Sequence, residues 1–97
     1  MKVDFAQVIT NLLGEPMKQN QNDQPLTLGV VASNALLADF PNTDAPTKVK
    51  RFKLAQRIFG DGEVNLEVEE IAEIKKVIGM VYPPLIVGRA WEMIEGQ

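Results

Sequence analysis

The most regular pattern of apolar and polar positions lies between Glu63 and Gln97 and predicts two helices joined by a Pro-Pro corner. Glu67 is the expected N-cap of the first helix, because Glu70 can accept a hydrogen bond from its backbone amide. The carboxylates of this first turn also suit the positive end of the helix dipole. The apolar residues then recur at the spacing of one face of an amphipathic helix: Ile71, Ile74, Ile78 and Val81.

The sequence Tyr82-Pro83-Pro84 is predicted to end this helix, since a residue before proline disfavours helical backbone angles. Proline is well accommodated at the first position of a new helix, and the helical period resumes from Leu85 to Ile94. Gly88 lies within this second helix, where glycine costs roughly 1 kcal/mol relative to alanine. We therefore expect another backbone to pack closely against Gly88.

Residues 3–17 are compatible with two local structures. Their β-branched segment Val8-Ile9-Thr10 and the turn-forming segment Gly14-Glu15-Pro16 favour two short strands. Residues 18–25 are polar and without periodicity, which predicts a loop. The count of periodic apolar positions nevertheless favours a helix with Asp4 as its N-cap, since five apolar residues match one helical face: Phe5, Val8, Ile9, Leu12 and Leu13. The residues alone therefore place the helix ahead of the strands.

A further helix is predicted from about Leu28 to Asp39, with Thr27 as its N-cap. Apolar side chains occur on every side of it, which is typical of a helix that is buried all round. Either it is the central helix of the domain or a partner subunit covers one side. The central position is favoured. Ser33 within it is expected to bond back to the preceding turn.

The segment Asp44-Ala45-Pro46 opens another helix, which ends near Phe59-Gly60. Half of the 10 lysine and arginine residues lie in this helix. Three of them form a basic stripe opposite the predicted core face: Lys50, Lys53 and Arg57. The residues predicted to face inward are Val49, Phe52, Ala55, Ile58 and Phe59.

Together these elements predict a mainly α (α+β) fold with three to four short helices that end in the helix–ProPro–helix pair. The 97 residues suit a single small domain. Residues 1–26 would form an N-terminal hairpin or arm and a polar loop, and residues 27–97 the helical core. No signal peptide or membrane-spanning segment is recognisable, so a cytoplasmic location without membrane contact is the expectation.

The formal net charge of −3 makes nucleic acid an unlikely partner, because such binding requires several phosphate contacts from a basic surface. Histidine and cysteine are both absent, which removes the commonest general base and the thiol nucleophile. No phosphate-binding glycine loop is present, and no cofactor or small-molecule substrate is evident. Acidic residues around Asp61-Gly62-Glu63 and Glu67 lack calcium-loop spacing, so no metal site is predicted.

The residues with the strongest potential for protein contact lie at the Pro-Pro corner. Exposed aromatic and arginine side chains are frequent anchors in protein interfaces. The candidate partner-binding residues are Tyr82, Pro83, Pro84, Arg89 and Trp91. Tyr82 and Trp91 could instead be core residues with their polar tips at the rim; the core interpretation is favoured for Trp91, whereas Tyr82 fits both equally.

Three segments give the chain a resemblance to small uncharacterised proteins encoded by tailed phages and prophages. They are Leu26-Thr27-Leu28-Gly29, Lys50-Arg51-Phe52-Lys53-Leu54-Ala55 and Tyr82-Pro83-Pro84-Leu85-Ile86-Val87-Gly88. The similar layout covers nearly the whole length. The resemblance implies a phage origin, a host-cytoplasm location and an N-terminal hairpin, and it carries over no functional residues.

The leading hypothesis is a non-enzymatic phage accessory protein that acts as a helical interaction module. It would bind a protein partner, or itself as a homo-oligomer, through the corner from Tyr82 to Arg89 and part of Leu28–Ala38. One alternative is a small DNA-binding regulator that uses the basic stripe. Another is a virion or tail-assembly component.

Overall fold

The structure is a computed structural model and describes residues 1–19, 23–59 and 62–96. The predicted turn at Gly60-Asp61 and the centre of the polar loop lie outside the described residues. In chain order the elements are β1 (Lys2–Asp4), α1 (Leu28–Leu37), α2 (Ala45–Ile58), β2 (Glu63–Asn65), α3 (Val68–Val81) and α4 (Pro84–Glu95). The predicted fold, mainly helical with a small β element at the N-terminus, is confirmed.

Helix α1 is the central helix, as its apolar sequence predicted. It contains no charged residue and packs against α2, α3 and α4. Thr27 caps it, since its Oγ1 accepts a hydrogen bond from the Val30 amide at 3.2 Å. The buried residues cover most of its circumference: Leu28, Gly29, Val31, Ala32, Ser33, Ala35 and Leu36.

The N-terminal segment crosses directly beneath the first turn of α1. The amides of Leu28 and Gly29 donate to the carbonyl oxygens of Gln7 and Phe5, both at 2.8 Å. These bonds satisfy donors that a helix start leaves without an intrahelical partner. A Cβ atom on Gly29 would lie 3.0 Å from the Phe5 carbonyl oxygen, so only glycine fits here without displacement of that backbone.

The regular strand pairing joins distant parts of the chain. β1 is antiparallel to β2, with Val3 opposite Val64.

A hairpin-like reversal also occurs around Gly14, whose φ of 84° is the left-handed conformation that glycine favours. There the Met17 amide donates to the Ile9 carbonyl at 2.8 Å. The helix that competed for residues 3–17 does not form.

The N-terminal segment, predicted as a hairpin or arm within residues 1–26, contributes to the same hydrophobic core as the helices. Val3, Phe5, Ile9 and Leu26 are buried in the same cluster as the helices. Ile9 is held by backbone bonds on both sides, since its amide donates to the Leu26 carbonyl at 2.7 Å. Without these residues one side of α1 would be open to solvent, so the segment is part of the core.

The predicted inward face of α2 is partly wrong. Ala55 and Ile58 are buried, whereas Val49, Phe52 and Phe59 are each more than half exposed. Helix α2 is apolar over a wider arc than its neighbours cover. The side chains that point inward are those of Arg51, Leu54, Ala55 and Ile58.

Arg51 takes a buried position on α2 because its charge is satisfied there. Its Nε donates to Glu73 Oε2 on α3 at 2.5 Å. Its guanidinium carbon also lies 5.5 Å from the centroid of the Phe40 ring, a cation–π arrangement. Arg51 was not among the residues that the sequence predicted to face inward.

Helices α3 and α4 meet at the predicted corner. The Glu67 amide donates to Glu70 Oε1 at 2.8 Å, which is the expected capping arrangement at the start of α3. Tyr82 is the C-cap of α3, and Pro84 is the first residue of α4. The expectation for Gly88 is wrong, because none of the described atoms outside the adjoining backbone of α4 lies within 4 Å of a Cβ built there. The close backbone approach occurs at Gly29 instead.

We predict opposite effects for alanine at these two glycines. Gly88→Ala should raise the free energy of unfolding by about 1 kcal/mol, because the site is open and alanine favours the helix. Gly29→Ala should lower it, because the new methyl group meets the Phe5 carbonyl. Urea denaturation of both variants beside the unaltered chain measures the two changes. A Gly29→Ala variant at least as stable as the unaltered chain would contradict the close contact.

Candidate functional site

The candidate partner-binding residues at the corner do not share one surface. Arg89 and Trp91 are two positions apart on α4, which corresponds to a rotation of about 200° around the helix axis. Their side chains therefore point to nearly opposite sides of the helix. Pro83 and Pro84 are exposed, whereas Tyr82 is half-buried and packs against the core. The prediction that these residues form a joint binding surface therefore gains no support from their arrangement.

Arg89 fastens the N-terminal segment to α4. Its Nε donates to the Thr10 carbonyl at 3.2 Å, and its Nη2 donates to the Asn11 carbonyl at 2.8 Å. Its Nη1 lies 3.4 Å from Glu92 Oε1. With these bonds in place the guanidinium group has an intramolecular role that the sequence did not indicate.

Trp91 lies at the rim between α3 and α4, with its ring partly exposed. The indole Nε1 donates to the Lys75 carbonyl at 3.2 Å. The Lys75 ammonium lies 4.5 Å from the ring centroid and also pairs with Glu95. These contacts hold the ring against α3, but Trp91 is exposed and does not belong to the core cluster, so the favoured interpretation of Trp91 as a core residue gains no support.

The basic stripe lines a cleft of about 620 Å³ between α2 and α3. Arg57 donates to Glu70 and, at 2.9 Å, to the Asn65 carbonyl. The Glu67 amide and the Arg57 guanidinium hold the pKa of the Glu70 carboxyl below its usual value of 4.5. Lys50 and Lys53 form no ion pair within residues 1–19, 23–59 and 62–96.

Carboxylates from α3 share this cleft with the basic stripe. Glu69, Glu70 and Glu73 all line it, and two of them pair with arginines of α2. An incoming phosphate would meet these negative charges as well as the lysines. The arrangement therefore gives the DNA-binding alternative little support, and the absence of a nucleic-acid partner stays a prediction.

Neither a metal site nor a membrane span is found in the described part of the chain. No group of three acidic, histidine or cysteine side chains is placed to hold a metal ion there. Among the helices that are described, none combines the length and apolar content required to cross a membrane. Asp61, one of the acids weighed as a ligand, lies outside the described residues.

An exposed apolar groove runs between α1 and α2, and we call it the α1–α2 groove. It has a volume of about 410 Å³. Its walls include Leu37, Phe52 and Phe59, each more than half exposed, and no charged residue among those described lines it. Val49 continues the apolar surface along α2. The complete lining is Ser33, Leu37, Phe52, Ala55, Gln56 and Phe59.

Ser33 at this groove has an unusual environment. Its residue is only 2% exposed, and among the described atoms its Oγ has no hydrogen-bond partner. The expected bond back to the preceding turn of α1 is therefore not formed. A buried hydroxyl without a partner is unfavourable, so the groove side of α1 is not optimised for stability alone.

The sequence contained part of the signal for this groove. Val49, Phe52 and Phe59 follow a helical period together with Gln56, and the period was interpreted as a core face. Periodicity shows that a face is apolar but not which neighbour covers it. The structure places these residues beside the buried face, where no described element covers them.

Comparisons with protein-family models, with curated proteins and with solved structures found no match. The resemblance to tailed-phage proteins thus stays a prediction from sequence. The contact surface of this protein is therefore inferred from its own geometry.

We predict that Arg89→Ala loosens the N-terminal segment while the helices stay folded. Loss of the bonds to Thr10 and Asn11 should raise amide hydrogen exchange in residues 9–17 more than in α3. Arg89→Lys is the matched variant, because its ammonium keeps the charge but not the forked geometry. Unchanged exchange in residues 9–17 of both variants would contradict the fastening role.

We predict that Ser33→Ala leaves the free energy of unfolding unchanged or raises it by about 1 kcal/mol, since it removes an unpartnered buried hydroxyl. Ala35→Ser, also on α1, is the control and should destabilise the protein by roughly 1–3 kcal/mol. Thermal unfolding followed by circular dichroism compares the two. Loss of stability in Ser33→Ala would indicate that its hydroxyl does have a stabilising bond.

Proposed function

We propose that this protein is a non-enzymatic helical interaction module that binds a protein partner through the α1–α2 groove. The observation that carries the proposal is the cluster of exposed apolar side chains Leu37, Val49, Phe52 and Phe59 on two adjacent helices. Contiguous apolar patches on a small protein mark interaction sites more often than scattered exposed residues do. Two phenylalanines at the centre provide the anchors on which interface affinity usually depends.

The groove replaces the Pro-Pro corner as the preferred contact surface. Arg89 and Trp91 already make intramolecular bonds and point to opposite sides of α4. The groove residues have no such partners, and Ser33 beneath them has a hydroxyl that the described residues leave unbonded. The earlier expectation that part of Leu28–Ala38 belongs to the contact surface is retained, through Ser33 and Leu37.

The non-enzymatic part of the proposal is supported by composition. The chain has no histidine and no cysteine, and the described residues that line the groove include neither acid nor base. Its chemistry is that of apolar contact, with one amide from Gln56 and one hydroxyl from Ser33. Such a lining suits binding rather than proton transfer or nucleophilic attack.

Site-specific photo-crosslinking in the cells that express the protein tests the proposal. A benzophenone amino acid at Gln56 would lie within the groove, whereas one at the exposed Ala72 of α3 would not. We expect discrete adducts from position 56 that are absent from position 72. The partner identified from the adduct should bind Phe52→Ser about 30-fold more weakly, the loss of roughly 2 kcal/mol typical of an interface anchor.

Position 72 is the matched control because it is also exposed and helical. Phe52 is exposed, so its replacement by serine should leave the thermal unfolding midpoint nearly unchanged. Equal adduct yields from positions 56 and 72 would remove the groove as the contact surface.

A further inference from the structure

We infer that the α1–α2 groove accepts an amphipathic helix whose apolar face is bordered by carboxylates. This inference rests on the proposed function and specifies the chemistry of its partner. Three observations support it. They are the charge along α2, the helical structure of both groove walls, whose backbone groups bond within their own helix, and the length of the apolar surface.

The charge along α2 has one sign. Its 14 residues include Lys48, Lys50, Arg51, Lys53 and Arg57 and no acid. The chain as a whole is acidic, with a formal net charge of −3, so α2 is a basic element in an acidic protein. A partner that docks along α2 therefore gains from carboxylates at the border of its apolar face.

Two lysines stand at the edges of the apolar surface. Lys53 is four residues after Val49 and three before Gln56, so it neighbours both on the helix surface. Lys48 is four residues before Phe52 and borders the other edge. Lys48 lies 3.6 Å from Asp39, but both side chains are largely exposed, so this ion pair is weak. Lys48 can therefore pair with a carboxylate of the partner instead. Lys53 has no ion pair in the described structure.

The walls of the groove favour a helical occupant. Both walls are helices, whose backbone amides and carbonyls bond within the helix, so an extended peptide would find no strand edge to pair with. A helix satisfies its own backbone and can present apolar residues at positions i, i+3, i+4 and i+7. From Val49 to Phe59 the apolar surface extends about 15 Å along α2, which matches roughly three turns of a docked helix.

A second copy of this chain is a poorer occupant. In a symmetric contact between two α2 helices, each basic helix would lie against its equivalent. Like charges held together in an interface oppose binding, and two of the cations of α2, Lys50 and Lys53, have no ion pair among the described residues to offset them. The partner chemistry is therefore complementary to α2 rather than identical to it.

Three designed peptides test the inference on the full chain. Each has about 15 residues, near the length at which an isolated helix becomes stable. All three have the same leucine face and differ only in the flanking residues, which are glutamate, glutamine or lysine. Fluorescence anisotropy of the labelled peptides measures the dissociation constants. We expect the glutamate peptide to bind about tenfold more tightly than the lysine peptide.

Variants of the chain locate the binding. Phe52→Ser and Phe59→Ser should weaken all three peptides, whereas Lys53→Glu should remove the preference for the glutamate peptide. The preference should also fall when ionic strength is raised from about 0.01 M to about 0.15 M, because the Debye length shortens from about 30 to about 8 Å. Val68→Ser, an exposed apolar position on α3, is the control and should change nothing.

The outcomes separate this inference from the proposed function. Equal binding of all three peptides, lost in Phe52→Ser, would overturn the acidic partner but retain the groove as a binding surface. No binding of any peptide, or binding that the phenylalanine variants leave unchanged, would overturn the inference. A dimer in light scattering that Phe59→Ser dissociates would identify a second copy as the occupant and overturn it as well. The photo-crosslinking from position 56 tests the proposed function independently of the peptide measurements.

Discussion

The fold depends on burying one helix that has no charged side chain. Helix α1 is apolar on nearly every side, so it can be stable in water only when other segments surround it. A 97-residue chain has few elements for this purpose, and three helices together with the N-terminal segment all contribute. The contact of Gly29 with the Phe5 carbonyl brings that segment close enough to complete the enclosure.

The enclosure is incomplete on one side, and the candidate site lies there. Leu37 is more than half exposed, and Ser33 lies beneath the same groove with no hydrogen-bond partner for its hydroxyl among the described residues. Neither feature stabilises the isolated chain. Both features are consistent with the proposed contact surface, since functional surfaces commonly retain such unfavourable features.

Ion pairs between α2 and α3 connect the fold with this surface. Arg51 and Arg57 of α2 bond to Glu73 and Glu70 of α3, which fixes the rotation of α2 about its axis. With the arginines directed to α3 and Leu54 directed to the core, the Val49–Phe59 edge faces solvent. Arg57, one of the three basic-stripe residues that suggested nucleic-acid binding in the sequence, thus acts together with Arg51 to orient the apolar edge of α2.

The sequence by itself determined the local structure: the caps at Thr27 and Glu67, the opening of α2 at Asp44-Ala45-Pro46, the Pro-Pro corner, and the apolar circumference of α1 that predicted its central position. These features depend on residues within one or two turns of each other, so their pattern is visible in the chain. Only the tertiary structure decided that β1 pairs with β2, that Gly29 rather than Gly88 is the close approach, and that Phe52 faces solvent. Each of these depends on which distant segment lies opposite, and helical periodicity records that a face is apolar without recording what covers it.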